Sequence, residues 1–464
     1  VEQTLLLLTI ALAAAFIAAV VASLVPGQVI PEVVILLFAG AFLGRVLPYS
    51  DNTGMQVLSE LGMAFLFLMA GFEIEPSREQ SKMTLHATLS WAVSFAIALV
   101  VTVVLLSRKF TGIGAYAFAV ALTTTAYGTL APIMRERHLS GTRVGKAVTS
   151  YGALGEILPI LAMAFLLSVR SRIETTVILV VYVGVCVSIA MFPRRANKVS
   201  VAVRSFLRSS AGANSESPVR VVVLLLVFLV FLARAMGFDA ALGAFAAGFT
   251  LRALLPAGNV DLERKLRALS RGFFIPIFFF YSGTNIDLSS AFSDMKLLVG
   301  YIVLLVFVRG VVVAISLYVA PETHDMSWRE IFSAATYCTM ALPLVIAVTG
   351  IAVDNGAMTS SDASVLVTAG AITVLIVPLI TSFVRVASEA YSAEAIRLTG
   401  DASLLQALHQ GEEALREGEQ HFHSVRAKHA REMPTPLQAR RKFSSADYFA
   451  MEQQEEPSES SKKG

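Results

Sequence analysis

Residues 151–167 read YGALGEILPILAMAFLL, and one side chain in this apolar stretch is charged, Glu156. No basic residue lies within several helical turns on either side. A lone carboxylate in such company needs a reason, and the rest of the chain supplies the setting. Of 464 residues, 55% are hydrophobic and 15% charged, and the mean hydropathy is +0.68. The apolar residues gather into long runs where a soluble domain would scatter them by period. A hydrocarbon core of about 30 Å needs about 20 apolar residues of helix. About thirteen runs approach that length, near 4–25, 31–48, 55–74, 84–107, 113–134, 145–169, 173–192, 219–236, 239–255, 270–283, 296–320, 329–350 and 362–387. They do not alternate in polarity as barrel strands do, and an open sheet edge cannot sit in lipid. The expected fold is therefore an all-α polytopic membrane protein with about 13 transmembrane helices.

The first run follows Val-Glu-Gln with no basic segment ahead of it, and reads as a true first helix and not a signal peptide. Loops after odd-numbered runs hold about eighteen Lys and Arg, and loops after even-numbered runs about seven. By the positive-inside rule the odd loops are cytoplasmic, which puts the N-terminus outside and the C-terminus in the cytoplasm. Topology explains this basic surface, so no nucleic-acid partner is called for. The bilayer itself is the expected partner. Cys186 and Cys338 fall inside apolar runs, at no metal or redox spacing, and read as core residues.

Residues 1–388 are thus expected to form a transmembrane domain. Its two halves meet at a cytoplasmic linker near 193–218, basic at first and then rich in Ser, Ala, Gly and Asn. Residues 389–464 form a hydrophilic cytoplasmic tail, partly helical and then disordered, ending EPSESSKKG. His421, His423 and His429 cluster in that tail without acidic or Cys ligands, and read as a solvated helix face. The chain contains no hydrolase triad, phosphate loop, zinc spacing or nucleotide fingerprint. An enzyme is not expected, and no cofactor.

Two runs make poor helices. ALTTTAYGTLAPIMRE at 121–136 and ATYCTMALPLVIAVTG at 335–350 each place Thr or Tyr ahead of a midspan Pro, which removes a helix hydrogen bond. Both helices are expected to break, with Thr124, Tyr127 and Thr339 as the polar contributors. Interrupted helices at corresponding places in two halves point to a transporter's midplane site. Glu156 lies about eleven residues into its run, close to the bilayer centre at a rise of about 1.5 Å per residue. Arg309, in GYIVLLVFVRGVVVAIS, falls at similar depth. A charge there costs at least ~2.5–3.5 kcal/mol unless it faces protein or water. A bare ion pair between helices is one structural reading. The functional one has Glu156 binding a proton or a monovalent metal ion in turn while Arg309 supplies charge compensation. One carboxylate carries one proton or one such cation, so electroneutral exchange is the expected mechanism. Divalent cations usually require more than one carboxylate.

Taken together, VIPEVVILLFAGAFLGRVLP, LSELGMAFLFLMAGFEIEP, ALTTTAYGTLAPIMRE and IPIFFFYSGTNID resemble the monovalent cation:proton antiporter superfamily, specifically its Kef-type branch of sodium/proton exchangers and potassium efflux transporters. The resemblance covers about residues 1–388. It implies a homodimer in a cell inner membrane, with inverted repeats and two crossed broken helices in a core that moves against a dimerisation domain. It matches Thr125 to the family's Thr in the first broken helix, Glu156 to its ion-binding carboxylate and Arg309 to its late basic residue. The implied function is exchange of Na+ or K+ for H+ by alternating access. Sodium-coupled transport of an organic anion and a non-transporting membrane sensor are the alternatives. Many members carry a polar pair such as Asp-Asp or Asn-Asp where this chain has Gly155-Glu156.

Overall fold

The computed structural model describes residues 2–24, 31–47, 49, 52–73, 81–136, 139, 141–167, 171–195, 217–254 and 260–399. Among them the regular elements are helices and there is no strand. The first half holds α1 (Glu2–Leu24), α2 (Glu32–Leu43), α3 (Thr53–Glu73), α4 (Ser81–Leu105), α5 (Ile113–Leu122), α6 (Tyr127–Glu136), α7 (Arg143–Leu166) and α8 (Arg172–Arg195). The second holds α9 (Ser217–Ala235), α10 (Ala240–Leu254), α11 (Val260–Leu269), α12 (Ile275–Thr284), α13 (Leu288–Ser293), α14 (Met295–Leu305), α15 (Val312–Val319), α16 (Trp328–Tyr337), α17 (Pro343–Asp354) and α18 (Ser360–Thr399). The helical part of the expected tail beyond Thr399, the linker at 196–216 and the three tail histidines lie outside the described residues.

Among the described residues, eight stretches are long and apolar enough to cross a membrane, and four shorter apolar helices accompany them. The run at 31–48 is helical only over Glu32–Leu43. That at 270–283 is the second half of one helix, in which the π turn Ser270–Phe274 joins α11 to α12. The outer helices show why apolar composition need not mean burial. In α1 only Leu7, Ala11 and Ala18 are buried, a single stripe, while Phe16 and Leu24 face outward as lipid-facing residues do. In α7 buried residues run along most of the helix and include Glu156.

Helices approach backbone to backbone where glycines remove the side chain. Gly40 on α2 and Gly44 capping its end have the GxxxG spacing, and a Cβ on Gly40 would lie 2.0 Å from the carbonyl oxygen of Phe280 on α12. A Cβ on Gly248 of α10 would likewise lie 2.0 Å from that of Leu68 on α3. Such small-residue seams are how membrane helices gain van der Waals contact when burial from water is not available to drive packing.

Both expected breaks are present, but not where the prolines suggested. The first spans Thr123–Ala126, between α5 and α6, so Pro132 falls inside α6. The second spans Cys338–Leu342, and Pro343 opens α17. Pro suits the first helical position, where its missing N–H would have no partner anyway. The breaks cross and bond to each other: the Ala126 N–H donates to the Met340 carbonyl at 2.7 Å.

Outside the spans, Lys109 in the α4–α5 loop clips two helix starts together. Its ammonium donates to Asp294, the N-cap of α14, at 2.6 Å and lies 2.8 Å from Asp362 in the first turn of α18. Burial works against the charged Lys109, but the hydrogen bonds to both carboxylates outweigh it and raise its pKa. The hydrogen bond from Lys109 lowers the pKa of Asp294. A lowered carboxylate pKa contributes stability above its unfolded value near ~3.9 that is lost on acidification; a raised lysine pKa contributes stability lost above about 10.4. We therefore expect the thermal midpoint of wild type to exceed that of Lys109→Met near neutral pH, and the gap to close below about pH 4 and above about pH 10.4. Scanning calorimetry in detergent across that range checks it.

Candidate ion-binding site

The site begins with a proline that the sequence reading passed over. Pro159 sits inside α7 and has no N–H to give the carbonyl four residues back, that of Gly155. This freed carbonyl instead accepts the backbone N–H of Thr125, at 2.8 Å, and so anchors the first break onto α7. The Thr125 hydroxyl then donates to the carbonyl of Cys338 in the second break, at 2.7 Å, and accepts from Nε of Arg309 at 3.2 Å. One threonine ties three elements together.

Glu156 is 2% exposed and near the middle of α7. Its Oε2 accepts the N–H of Gly128 at 3.1 Å. Gly128 is the second residue of α6, so the carboxylate caps the start of a helix, where unpaired amides and the helix dipole favour negative charge. Arg309 is fully buried in the middle of the π turn Val306–Val311 that joins α14 to α15. π turns recur at functional positions because the extra residue re-aims a side chain. Its Nη2 donates to the carbonyl of Tyr151 at 2.8 Å, while the Tyr151 hydroxyl is 2.8 Å from that of Ser316 on α15. Glu156 and Arg309 do not form the ion pair considered above: the carboxylate is held by the Gly128 amide and the guanidinium by Thr125 and Tyr151.

Gly155 has a steric role. A Cβ there would lie 2.3 Å from Nη2 of Arg309 and 2.6 Å from Oγ1 of Thr125. The guanidinium occupies the volume that a side chain at 155 would claim.

The remaining expected contributors are less central. Thr124 is fully buried and its hydroxyl folds back to the carbonyl of Ala121 at 3.0 Å. Thr339 bonds the carbonyl of Thr336 at 2.7 Å. Tyr127 opens α6, and its hydroxyl donates to Thr149 at 3.4 Å. The Cys338 thiol is buried, as a core residue should be, yet the carbonyl of the same residue belongs to the site. Glu73 was missed. It closes α3, pairs with Arg271 at 3.5 Å, and its side chain is only 6% exposed. Ala70, one turn earlier on α3, adjoins Gly128: a Cβ built there would lie 3.5 Å from that of Ala70 and 3.7 Å from Oε1 of Glu156. At the end of an apolar run, Glu73 reads as an ordinary interfacial charge. No cluster of three or more His, Cys, Asp or Glu fit to hold a metal ion occurs among the described residues.

Thr125→Val keeps the shape and deletes the hydroxyl, stranding a carbonyl and a guanidinium N–H in the interior. Each buried group left unpaired costs about 1–3 kcal/mol. We expect a lower thermal midpoint and weaker cation affinity, with Thr125→Ser restoring both, measured by melting curves and by the cation dependence of proton flux.

Comparison with known proteins agrees with this architecture. The family model described as sodium/hydrogen exchanger, transmembrane, matches residues 11–386. The YjbQ protein of Bacillus subtilis is 26% identical over 366 residues, covering 75% of this chain and 58% of its own. The Na+/H+ antiporter NhaS5 of Synechocystis is 26% identical over 76% of this chain and 50% of its own, and the cation/H+ antiporter 18 of Arabidopsis thaliana 28% identical over 54% and 32%. The chain thus spans about half or less of the last two relatives. The solved structure of the sodium proton antiporter MjNhaP1 of Methanocaldococcus jannaschii superposes with a TM-score of 0.60 at 17% identity, over 82% of this chain and 95% of that one. With the family model matching from residue 11 to residue 386, the chain belongs to the sodium/hydrogen exchanger family, a family of transporters and not of enzymes.

Proposed function

We propose that this chain exchanges one monovalent cation for one proton across a cell inner membrane, by alternating access, with Glu156 taking the two in turn. The observation that carries the reading is the environment of Glu156: buried, held by a helix-start amide and not by a fixed cationic side chain. A carboxylate whose charge no lysine or arginine neutralises is left to a mobile cation, and either a proton or a metal ion serves. Because both occupy one group, neither can ride with the other, and coupling follows from competition alone.

Na+ is the favoured cation, since NhaS5 and MjNhaP1 are named for sodium–proton antiport. K+ is the other cation of the right charge. Thr125 and the carbonyls of the crossed breaks are the groups that replace water around a dehydrated ion. Arg309 compensates charge at a distance, through the electrostatic field and not through contact. Glu73 closes α3 one turn beyond Ala70, which adjoins Gly128, and its charge is met by Arg271, so Glu156 remains the carboxylate that takes the ion. One charge in for one charge out makes the cycle electroneutral. The N-terminus is assigned to the outside and the C-terminus to the cytoplasm on the Lys and Arg asymmetry, and two copies form the working unit.

The test is proton efflux from acid-loaded proteoliposomes on adding Na+, K+ or Li+ to the purified chain. Cation-dependent alkalinisation that neither generates nor responds to a membrane potential is the expected result. Silence with every cation between about pH 5.5 and 9, a window bracketing the titration of buried carboxylates, overturns the reading.

A further inference from the structure

Arg309 presents two edges. One, Nε and Nη2, is spent on Thr125 and Tyr151. The other, Nη1, is buried and has no hydrogen-bond partner, and among the described residues no carboxylate pairs with this fully buried guanidinium. An uncompensated charge at that depth is the costliest kind of orphan.

The neighbouring helix carries matching orphans. The buried stripe of α4 includes Ser90, at 4% exposure, and Ser94, at 0%, and neither hydroxyl has a partner. These residues are four apart and share a face. Helix α4 packs against α7, the Arg309 π turn and α15. Three contacts fix its register as antiparallel to α14–α15: Lys109 with Asp294 at one end, and the Ser316 hydroxyl with the His86 carbonyl and His86 with Glu322 at the other. Stepping along that register brings Ser94 level with Arg309, and Ser90 one turn nearer Ser316. A guanidinium can only donate, and a serine hydroxyl can turn to donate. The unspent groups at this junction are therefore donors beside a fixed positive charge.

We propose that the junction of α4, α7 and the π turn holds a small inorganic anion, a halide such as chloride, bound by Nη1 of Arg309 and the hydroxyls of Ser94 and Ser90. The anion is resident and is not transported. Its consequence rests on the exchange reading above. Without it, Glu156 and Arg309 sum to zero when no cation or proton is bound, and to one positive charge when either is. With it, the unloaded site carries one negative charge and both loaded forms are neutral. Moving a charge through a low-dielectric barrier is unfavourable, so the anion restricts crossing to the loaded forms and prevents slippage.

The experiment is a thermal-unfolding titration of the purified 464-residue chain with sodium chloride, sodium bromide or sodium gluconate at fixed ionic strength, beside bromide-soaked crystals. A saturable rise of the midpoint with chloride and bromide and not gluconate is expected, with an anomalous bromide peak between α4 and the π turn. Ser94→Ala should raise the half-saturating concentration about tenfold, the loss of one good hydrogen bond. If that variant does not fold, Ser90→Ala takes its place. Equal midpoints in all three salts, with no bromide peak beside Arg309, overturn the proposal. Neither readout requires transport, so failure of the exchange reading would appear in proteoliposomes while these results stood.

Discussion

In Glu156→Gln, cation-driven proton efflux should fall to the level of empty liposomes while the protein stays folded. The amide has nearly the shape of the carboxylate and its oxygen can still accept the Gly128 N–H at the start of α6. What it cannot do is take up a proton or neutralise a cation, so both halves of the exchange fail together. Stability should hold or rise, because a buried ionised group is replaced by a neutral one with its hydrogen bond kept. Proton flux and a melting curve on the same preparation check both halves. A variant that unfolded would assign Glu156 to architecture, and one that still exchanged would send the search for the ion ligand elsewhere. Glu156→Asp is the finer probe: one methylene shorter, it withdraws the carboxylate from the Gly128 amide, and reduced cation affinity with turnover retained is expected.

Gly155→Ala should be nearly as damaging, although it adds one methyl group. The new carbon falls 2.3 Å from Nη2 of Arg309 and 2.6 Å from the Thr125 hydroxyl, both closer than atoms tolerate. The Thr125 hydroxyl is pinned between two partners, so the guanidinium is the group displaced, and it loses the Tyr151 carbonyl. Breaking the partners of a buried charge costs about 3–5 kcal/mol. We expect a sharply lower thermal midpoint and little exchange. Arg309→Lys shortens the intruding group, so Gly155→Ala combined with Arg309→Lys should lose less than the two single effects added together, and a double-mutant cycle measures the difference. Additive losses would mean that glycine is there for helix flexibility alone.

The membrane class, the helices and the mid-helix position of Glu156 were legible because each depends on composition and spacing along one segment. Thr125, Glu156 and Arg309, named from buried charge, helix breaks and resemblance, do meet in one region of the fold. Their contacts were not legible. Opposite charges at equal depth suggested a pair, but the sequence does not say that the guanidinium would find Tyr151 and Thr125 first. The breaks were read from Pro132 and Pro343, yet one proline lies within a helix and the other begins one. Thr123–Ala126 break because bonds across to α7 and to the second break replace those of a continuous helix. Pro159 was the overlooked signal: GEILP on an apolar helix announces that the Gly155 carbonyl is free for an outside donor. Glu73 had no local mark at all, since only the packing of α3 against α6 brings it close.

An interrupted helix usually behaves as a soft spot, where amide hydrogens exchange with solvent. Here the amides of Thr125 and Ala126 are both taken, by α7 and by the opposite break. In a deuterium pulse they should label as slowly as their helical neighbours, with or without a bound cation. On that result the proposed ion site would be not a hinge but a keystone: what flexes during turnover would do so at the borders of this block, and mass-spectrometric labelling should find those borders before any movement at Glu156 itself.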